Sequence, residues 1–134
     1  MSDIPAKPRP SPSELSQPYW DGVAAGQLRL QSCSACGALR HYPRLLCDRC
    51  YSDGVEWQTA SGRGRIHSWT VAHHPYHPAF VTEVPYTLVI VDLEEGPRAL
   101  GRWHGETPAI GQAVQGQFVA RDDGADLVFA PSSE

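Results

Sequence analysis

The sequence predicts a mainly β fold: one short N-terminal helix, a cysteine-rich ribbon and a small barrel of five strands. Three observations carry this expectation. Twelve prolines and twelve glycines among 134 residues favour short strands and many turns over a helical bundle. All four cysteines fall in two CxxC pairs, Cys33-Ser-Ala-Cys36 and Cys47-Asp-Arg-Cys50. After them, alternating apolar and polar residues recur in segments separated by glycine-rich turns.

Residues 1–13 carry Pro5, Pro8, Pro10 and Pro12 with no apolar period, and read as an extended lead-in, either poorly ordered or laid as a strap over a partner. Over residues 13–26 the pattern turns helical. Ser16 can cap, Pro18 suits a first turn, Gly26 can end the helix, and Tyr19, Trp20, Val23 and Ala24 share one face. Leu28 and Leu30 then alternate with polar neighbours as a short strand leading to the first cysteine pair, and residues 54–58 close the cysteine-rich segment. Five strands follow. The first, 65–71, alternates Ile66, Ser68 and Thr70 against His67, Trp69 and Val71. Next come 86–93, β-branched and expected at the centre, then 98–104, 113–121 and 127–130. Short strands, glycines placed for turns and bulges, and no long helix suit a closed or partly closed barrel, for which the OB-fold is the common solution. The expected organisation is a lead-in over 1–13, helix and strand over 14–30, ribbon over 31–60, barrel over 61–131 and tail over 132–134.

Each CxxC turn aims two thiolates at one point, so the two pairs together offer the four tetrahedral sulfur ligands of a structural zinc site. Gly37 after the first pair permits a tight turn; Tyr51 holds the matching place after the second. Iron suits the same sulfur set, and two disulfides are the other alternative, though such bridges belong to secreted or redox-active chains. Cys33, Cys36, Cys47 and Cys50 are therefore the candidate ligands of one structural zinc ion. With every ligand a protein thiolate, no position stays open for substrate or water.

The net charge of −4 disfavours non-specific binding to phosphate backbones. Charge is uneven. Arg40, Arg44, Arg49, Arg63 and Arg65 make a weakly basic centre, while Asp122, Asp123, Asp126 and Glu134 make an acidic end. No basic start precedes an apolar run, and the apolar stretch 88–93 is too short to span a bilayer. With reduced cysteines, the chain reads as a cytoplasmic protein.

Beyond the cysteines, the stretch His73-His74-Pro75-Tyr76-His77-Pro78-Ala79-Phe80 stands out. It falls between two strands, where loops are exposed, and its prolines stiffen it. A partner-contact surface, a plain loop and a metal or catalytic site are the three readings. Tyr19 and Trp20 on the helix are further candidates for partner contact. Trp57, Trp69 and Trp103 suit barrel packing better than base stacking, because a single-strand binder interleaves aromatics with a basic groove. Asp92, Glu94 and Glu95 before Gly96 read as a solvated hairpin.

The ordered set Tyr19-Trp20…Gly26, Cys33-x-x-Cys36-Gly37, Pro43-Arg44, Cys47-x-x-Cys50, Gly62-x-Gly64-x-Ile66, Pro85-Tyr86 and Asp92-Leu93-x-Glu95-Gly96 resembles the DUF35 family. The resemblance covers about residues 14–131 and implies a rubredoxin-like zinc ribbon followed by an OB-fold. It also implies an accessory subunit without catalytic residues, working beside thiolase-fold enzymes (thiolases, aldolases, acyltransferases) or MaoC-type enoyl-CoA hydratases in acyl-CoA metabolism. On that reading Arg40 and Arg44 are candidate contacts for the phosphates of acyl-CoA, since guanidinium forks bind phosphate bidentately. Two alternatives remain at this level: a single-stranded nucleic-acid-binding module, and an enzyme that uses the histidine loop.

Overall fold

The computed structural model describes residues 6–8, 10–121 and 124–132. Asp122, Asp123 and Glu134, counted above in the acidic end, lie outside these, as do residues 1–5 of the lead-in. Helix α1 spans Gln17–Ala24 with Pro18 in its first turn. It is shorter than the sequence suggests because its start is a separate turn. There the Ser13 N–H donates to Ser16 Oγ (3.0 Å) and the Ser16 N–H to Ser13 Oγ (3.1 Å). The Ser16 hydroxyl is thus spent on that turn and makes no side-chain cap. The far end closes as a Schellman motif. Gln27 N–H donates to the Gly22 carbonyl (2.7 Å) and Gly26 N–H to that of Val23 (3.1 Å). Gly26 takes the left-handed conformation, φ 73°, that this motif requires.

Strands β1 (Arg29–Cys33), β2 (Leu39–Arg40) and β3 (Val55–Thr59) make an antiparallel sheet in the order β2-β1-β3. Strands β4 (Arg63–Ala72), β5 (Tyr86–Leu93), β6 (Arg98–Trp103), β7 (Ala113–Arg121) and β8 (Gly124–Pro131) close a barrel in the order β4-β5-β6-β8-β7. The β6–β8 pairing is parallel and the other barrel pairings antiparallel, the five-stranded Greek-key arrangement of an OB-fold. Strand β8 starts earlier than its composition suggests. Ala125 and Asp126 have low strand propensity, but the register with β7 (Ala120↔Ala125, Val119↔Asp126) draws them in.

Strand β4 corrects one expectation. Strict alternation puts Ile66 and Ser68 on one face and Trp69 on the other. A register shift lies between Ile66 and Ser68, so Ile66 pairs with Val91 and Ser68 with Ile90. The extra residue, His67, turns Trp69 to the same face as Ile66. Trp69 nevertheless stays 39 % exposed while Trp103 is buried, so core packing accounts for Trp103 and not for Trp69.

One core joins both sheets and the helix. Phe129, Val89, Val91, Val114 and Ile66 fill the barrel and continue into Leu28, Leu30, Tyr19 and Val23. Leu30 and Phe129 are fully buried. Burying such a side chain stabilises by about 1.5–3 kcal/mol relative to leaving it in water. The ribbon root and the barrel are therefore stabilised by shared apolar contact, with α1 packed on both β1 and β8.

Candidate metal centre and the groove beside it

The two CxxC turns repeat one backbone pattern. In the first, Gly37 N–H donates to the Cys33 carbonyl (2.8 Å) and Cys33 N–H to that of Ala38 (2.9 Å). In the second, Tyr51 N–H donates to the Cys47 carbonyl (3.0 Å) and Cys47 N–H to that of Ser52 (3.0 Å). Both turns need a left-handed residue after the second cysteine: Gly37 at φ 79° and Tyr51 at φ 63°. Tyr51 therefore does glycine's conformational task at some steric cost.

These turns bring the sulfurs together. Cys33 Sγ lies 3.5 Å from Cys50 Sγ, and Cys36 Sγ lies 3.7 Å from Cys47 Sγ. All four ligand atoms fall within 4.8 Å of one another. A tetrahedron with Zn–S bonds of about 2.3 Å has an edge of about 3.8 Å, so the donor set fits zinc without rearrangement. Backbone amides support the sulfurs. Cys36 N–H points at Cys33 Sγ (3.5 Å) and Arg49 N–H at Cys47 Sγ (3.4 Å). The Cys36 amide above all holds the Cys33 thiol down at about 6, and the Arg49 amide leads in lowering Cys47. At Cys50 the Ser52 amide pulls downward, but the sulfur neighbours, Cys33 first, and desolvation together push it up to about 12. Four thiolates this close cannot all ionise without a cation among them, and a divalent metal supplies that charge. Cys33 and Cys47 are buried and Cys36 and Cys50 exposed, so the site sits at the ribbon's tip. Bound there, zinc would fasten the two turns.

Arg40, expected as a surface fork for phosphate, is 5 % exposed. Its Nε donates to Gln31 Oε1, which also accepts the Arg44 N–H (2.8 Å). It therefore pins residues 41–44 to β1 instead of facing solvent. Arg44 is exposed. Beside this pair, desolvation lowers His41 to about 4, which keeps the ring neutral near pH 7. Desolvation first, and then Tyr42, raise Tyr19 to about 12.

The candidate contact residues divide. Tyr19 is buried and Trp20 packs against the core, so this helix face belongs to the fold. In the histidine loop, His73, His74 and Tyr76 are exposed, with Tyr76 at 83 %. His77 turns inward: its Nδ1 accepts the Ala79 N–H (3.0 Å) and caps a 3-10 turn over Pro78–Phe80. Phe80 is half-buried near Tyr86, ring centroids 6.0 Å apart. Among the described residues, the four cysteines are the group of His, Cys, Asp and Glu side chains gathered closely enough for a metal, and the loop histidines are not part of it.

One feature escaped the sequence reading. A groove of about 620 Å³ runs between α1, the Tyr42–Pro43 loop and the outward faces of β5, β6 and β8. Leu88, Leu100 and Leu127 line it with Tyr19, Trp20 and Tyr42. The Tyr42 hydroxyl accepts the Leu100 N–H (3.1 Å), tying the ribbon loop to β6 where that strand does not pair with β8. The available signal was that β5 carries Leu88 and Ile90 on its outward face and β6 carries Leu100 there, apolar residues that a solvated barrel face does not need.

Comparison with known proteins places this architecture. Residues 20–56 match a family model described as the ChsH2 rubredoxin-like zinc ribbon domain, and residues 57–119 one described as the ChsH2 C-terminal OB-fold domain. The chain is 36 % identical over 132 residues to a probable enoyl-CoA hydratase alpha subunit of Thermomonospora curvata, covering 94 % of this chain and 40 % of that protein. It is equally identical, at 36 %, to the 3-oxo-4,17-pregnadiene-20-carboxyl-CoA hydratase alpha subunit of Mycobacterium tuberculosis, covering 96 % of this chain and 42 % of that protein. The chain thus spans about two-fifths of the length of these curated relatives. A DUF35 domain-containing scaffold protein of Methanothermobacter thermautotrophicus is 35 % identical, with 73 % of this chain and 77 % of that protein aligned. Among solved structures, a chain of the Ltp2-ChsH2(DUF35) aldolase superposes with a TM-score of 0.83 at 34 % identity, over 92 % of this chain and 98 % of that one. With this ribbon, this barrel and these relatives, the chain belongs to the DUF35 family of ChsH2-type zinc-ribbon and OB-fold proteins.

Proposed function

We propose that this chain is a non-catalytic subunit or module of an acyl-CoA enzyme complex. Its catalytic partner is a MaoC-type hydratase or a thiolase-fold chain (aldolase, thiolase or acyltransferase). It holds one structural zinc ion on Cys33, Cys36, Cys47 and Cys50, and it works in the cytoplasm. No helix among the described residues is long and apolar enough to cross a membrane. The observation that carries the reading is the match, over 92 % of this chain and 98 % of the other, to a chain of the Ltp2-ChsH2(DUF35) aldolase. The hydratase alpha subunits among its relatives point the same way. The chemistry of the site agrees: four protein thiolates saturate a tetrahedral ion and leave it a clamp.

Partner contact falls to the exposed part of the histidine loop, His73, His74 and Tyr76, stiffened by Pro75 and Pro78. Arg44 remains the proposed contact for acyl-CoA phosphates. The nucleic-acid alternative has no observation in its favour. Exposed Trp69 is flanked by Ser68 and Thr70, and the His67 ring beside them faces the Asp92 carboxylate (3.2 Å), so this aromatic surface is not interleaved with basic side chains along its strand.

The test is an affinity pull-down of the tagged chain from its native cells, with mass spectrometry of what accompanies it. A hydratase or thiolase-like chain should come at fixed stoichiometry, and the isolated chain should turn over no acyl-CoA. A monomer without such a companion, or one that converts a thioester unaided, would overturn the reading.

A further inference from the structure

The groove beside α1 is uneven along its length, and that unevenness specifies an occupant. We propose that it is a binding site for a small amphipathic molecule with an apolar body and one carboxylate head, held entirely within this chain. Its volume of about 620 Å³ falls within the roughly 300–1,000 Å³ of ligand cavities. The floor is aliphatic and aromatic, formed by Tyr86 and Leu88 of β5 and Leu100 of β6, with Trp20 and Leu127 on the walls. Leu100 remains 48 % exposed although it faces these apolar neighbours, so the described residues leave the space open.

Charge gathers beside one end, where Arg102 lines the groove and Glu83 and Lys7 adjoin it through ion pairs. Glu83 accepts from both Lys7 (3.0 Å) and Arg102, and the Arg102 guanidinium lies over the Tyr86 ring, 4.5 Å from its centroid. Two cations face one carboxylate, which leaves a net positive charge. The three side chains are only 31, 26 and 27 % exposed for Lys7, Glu83 and Arg102, so that charge is incompletely hydrated. Among the described residues, the other charged side chains that line the groove, Arg121 and Asp126, face each other at 3.7 Å. A carboxylate whose apolar body lies on Leu88 and Leu100 completes the charge at the Arg102 end, with Lys7 beyond it. It gains more there than at an open surface, because the apolar walls weaken the screening by water.

The experiment titrates the full, zinc-loaded, ¹⁵N-labelled chain with octanoate and, in parallel, with octan-1-ol, which has the same body without the charge. Saturable amide shifts are expected at Trp20, Leu88, Leu100, Arg102 and Ala125 with both probes. Arg102→Gln should weaken octanoate about tenfold and octan-1-ol by less than about twofold. Leu100→Arg, and separately the milder groove-filling Leu100→Trp, should abolish the response to octan-1-ol while zinc content and the remaining spectrum stay unchanged. The proposal is overturned if neither probe gives saturable shifts up to about 3 mM, if Arg102→Gln weakens both alike, or if the shifts fall on the two cysteine turns or the His73–Tyr76 loop. Because the measurement uses this chain alone, failure here leaves the partner reading of the previous section untouched, and the pull-down decides that separately.

Discussion

Replacing Gly101 with alanine probes the packing that closes the barrel. A Cβ at Gly101 would stand 2.6 Å from Phe129 Cδ2, 2.8 Å from Cε2 and 3.2 Å from the Leu127 carbonyl oxygen. Phe129 is fully buried. Its far side meets Gly116, where a Cβ would lie 3.0 Å from Cε1. The ring is thus held between a glycine of β6 and a glycine of β7, and moving it off one drives it into the other. Overpacking of this kind costs about 1–3 kcal/mol, and the double clash puts Gly101→Ala at the upper end. A less flexible unfolded chain offsets about 0.4–1 kcal/mol of that, which leaves a net loss of about 2 kcal/mol. At about 2.1 cal/mol/K per residue, 134 residues unfold with an entropy of about 0.28 kcal/mol/K, so Tm falls by about 7 °C. Circular dichroism melting in excess zinc measures it. Gly116→Ala, with its single milder contact, should cost about half as much. Phe129→Leu in the Gly101→Ala background should return part of the loss, with a coupling energy of about 1 kcal/mol. A Gly101→Ala shift within about 1 °C of wild type, or strict additivity with Phe129→Leu, would refute the argument.

Cys47→Ser should remove stoichiometric zinc by elemental analysis and collapse the amide spectrum of residues 31–56 while barrel signals persist, because the apparent folding free energy that zinc supplies to such a ribbon is about 10–16 kcal/mol; a dispersed, metal-free ribbon spectrum would contradict this. Tyr51→Gly should raise the temperature of zinc release, since glycine relieves a left-handed backbone that costs a bulky residue about 1 kcal/mol and the lost ring is 76 % exposed; a lower release temperature counts against the strain argument. At Glu83, burial pushes the pKa up, but hydrogen bonds from Arg102 and Lys7 outweigh it and hold the carboxyl below its usual range. A lowered carboxylate contributes stability above its unfolded pKa of about 4.3 and loses it as pH falls through the folded value. Glu83→Gln should therefore lower stability at pH 7 by on the order of 1 kcal/mol after solvent screening, read as a lower Tm, and the deficit should vanish near pH 2; a deficit independent of pH would show that the ion pairs are not its source.

Much of the architecture was legible in local chemistry. The CxxC spacing located the metal ligands because a cysteine turn has few geometries. The β-branched run over 86–93 located β5 because such residues fit a pleated, buried surface. What escaped depended on contacts distant in sequence. The bulge at His67 needs β5 beside it to define a register. Arg40 reads as a solvated arginine until β1 places Gln31 against it. The groove is formed by segments around residues 15, 42, 88, 100 and 127, none adjacent in the chain. Tyr51 shows the opposite case: its left-handed backbone was hidden by its identity, yet readable by analogy with Gly37 in the sister turn.

Among the described residues the two sheets exchange no ladder bonds; the short helix lying on both, the shared core and the Tyr42–Leu100 hydrogen bond set their mutual angle. The helix works as a shim. A Cβ at Gly22 would meet the Arg29 stem and the Gln27 carbonyl oxygen, each at 2.8 Å, so substitutions there press the helix end against the root of β1 without touching a cysteine or a barrel residue. Descendants of this scaffold therefore have an inexpensive route to fitting differently shaped companions: re-aim the tip through one helix and leave both halves as they are.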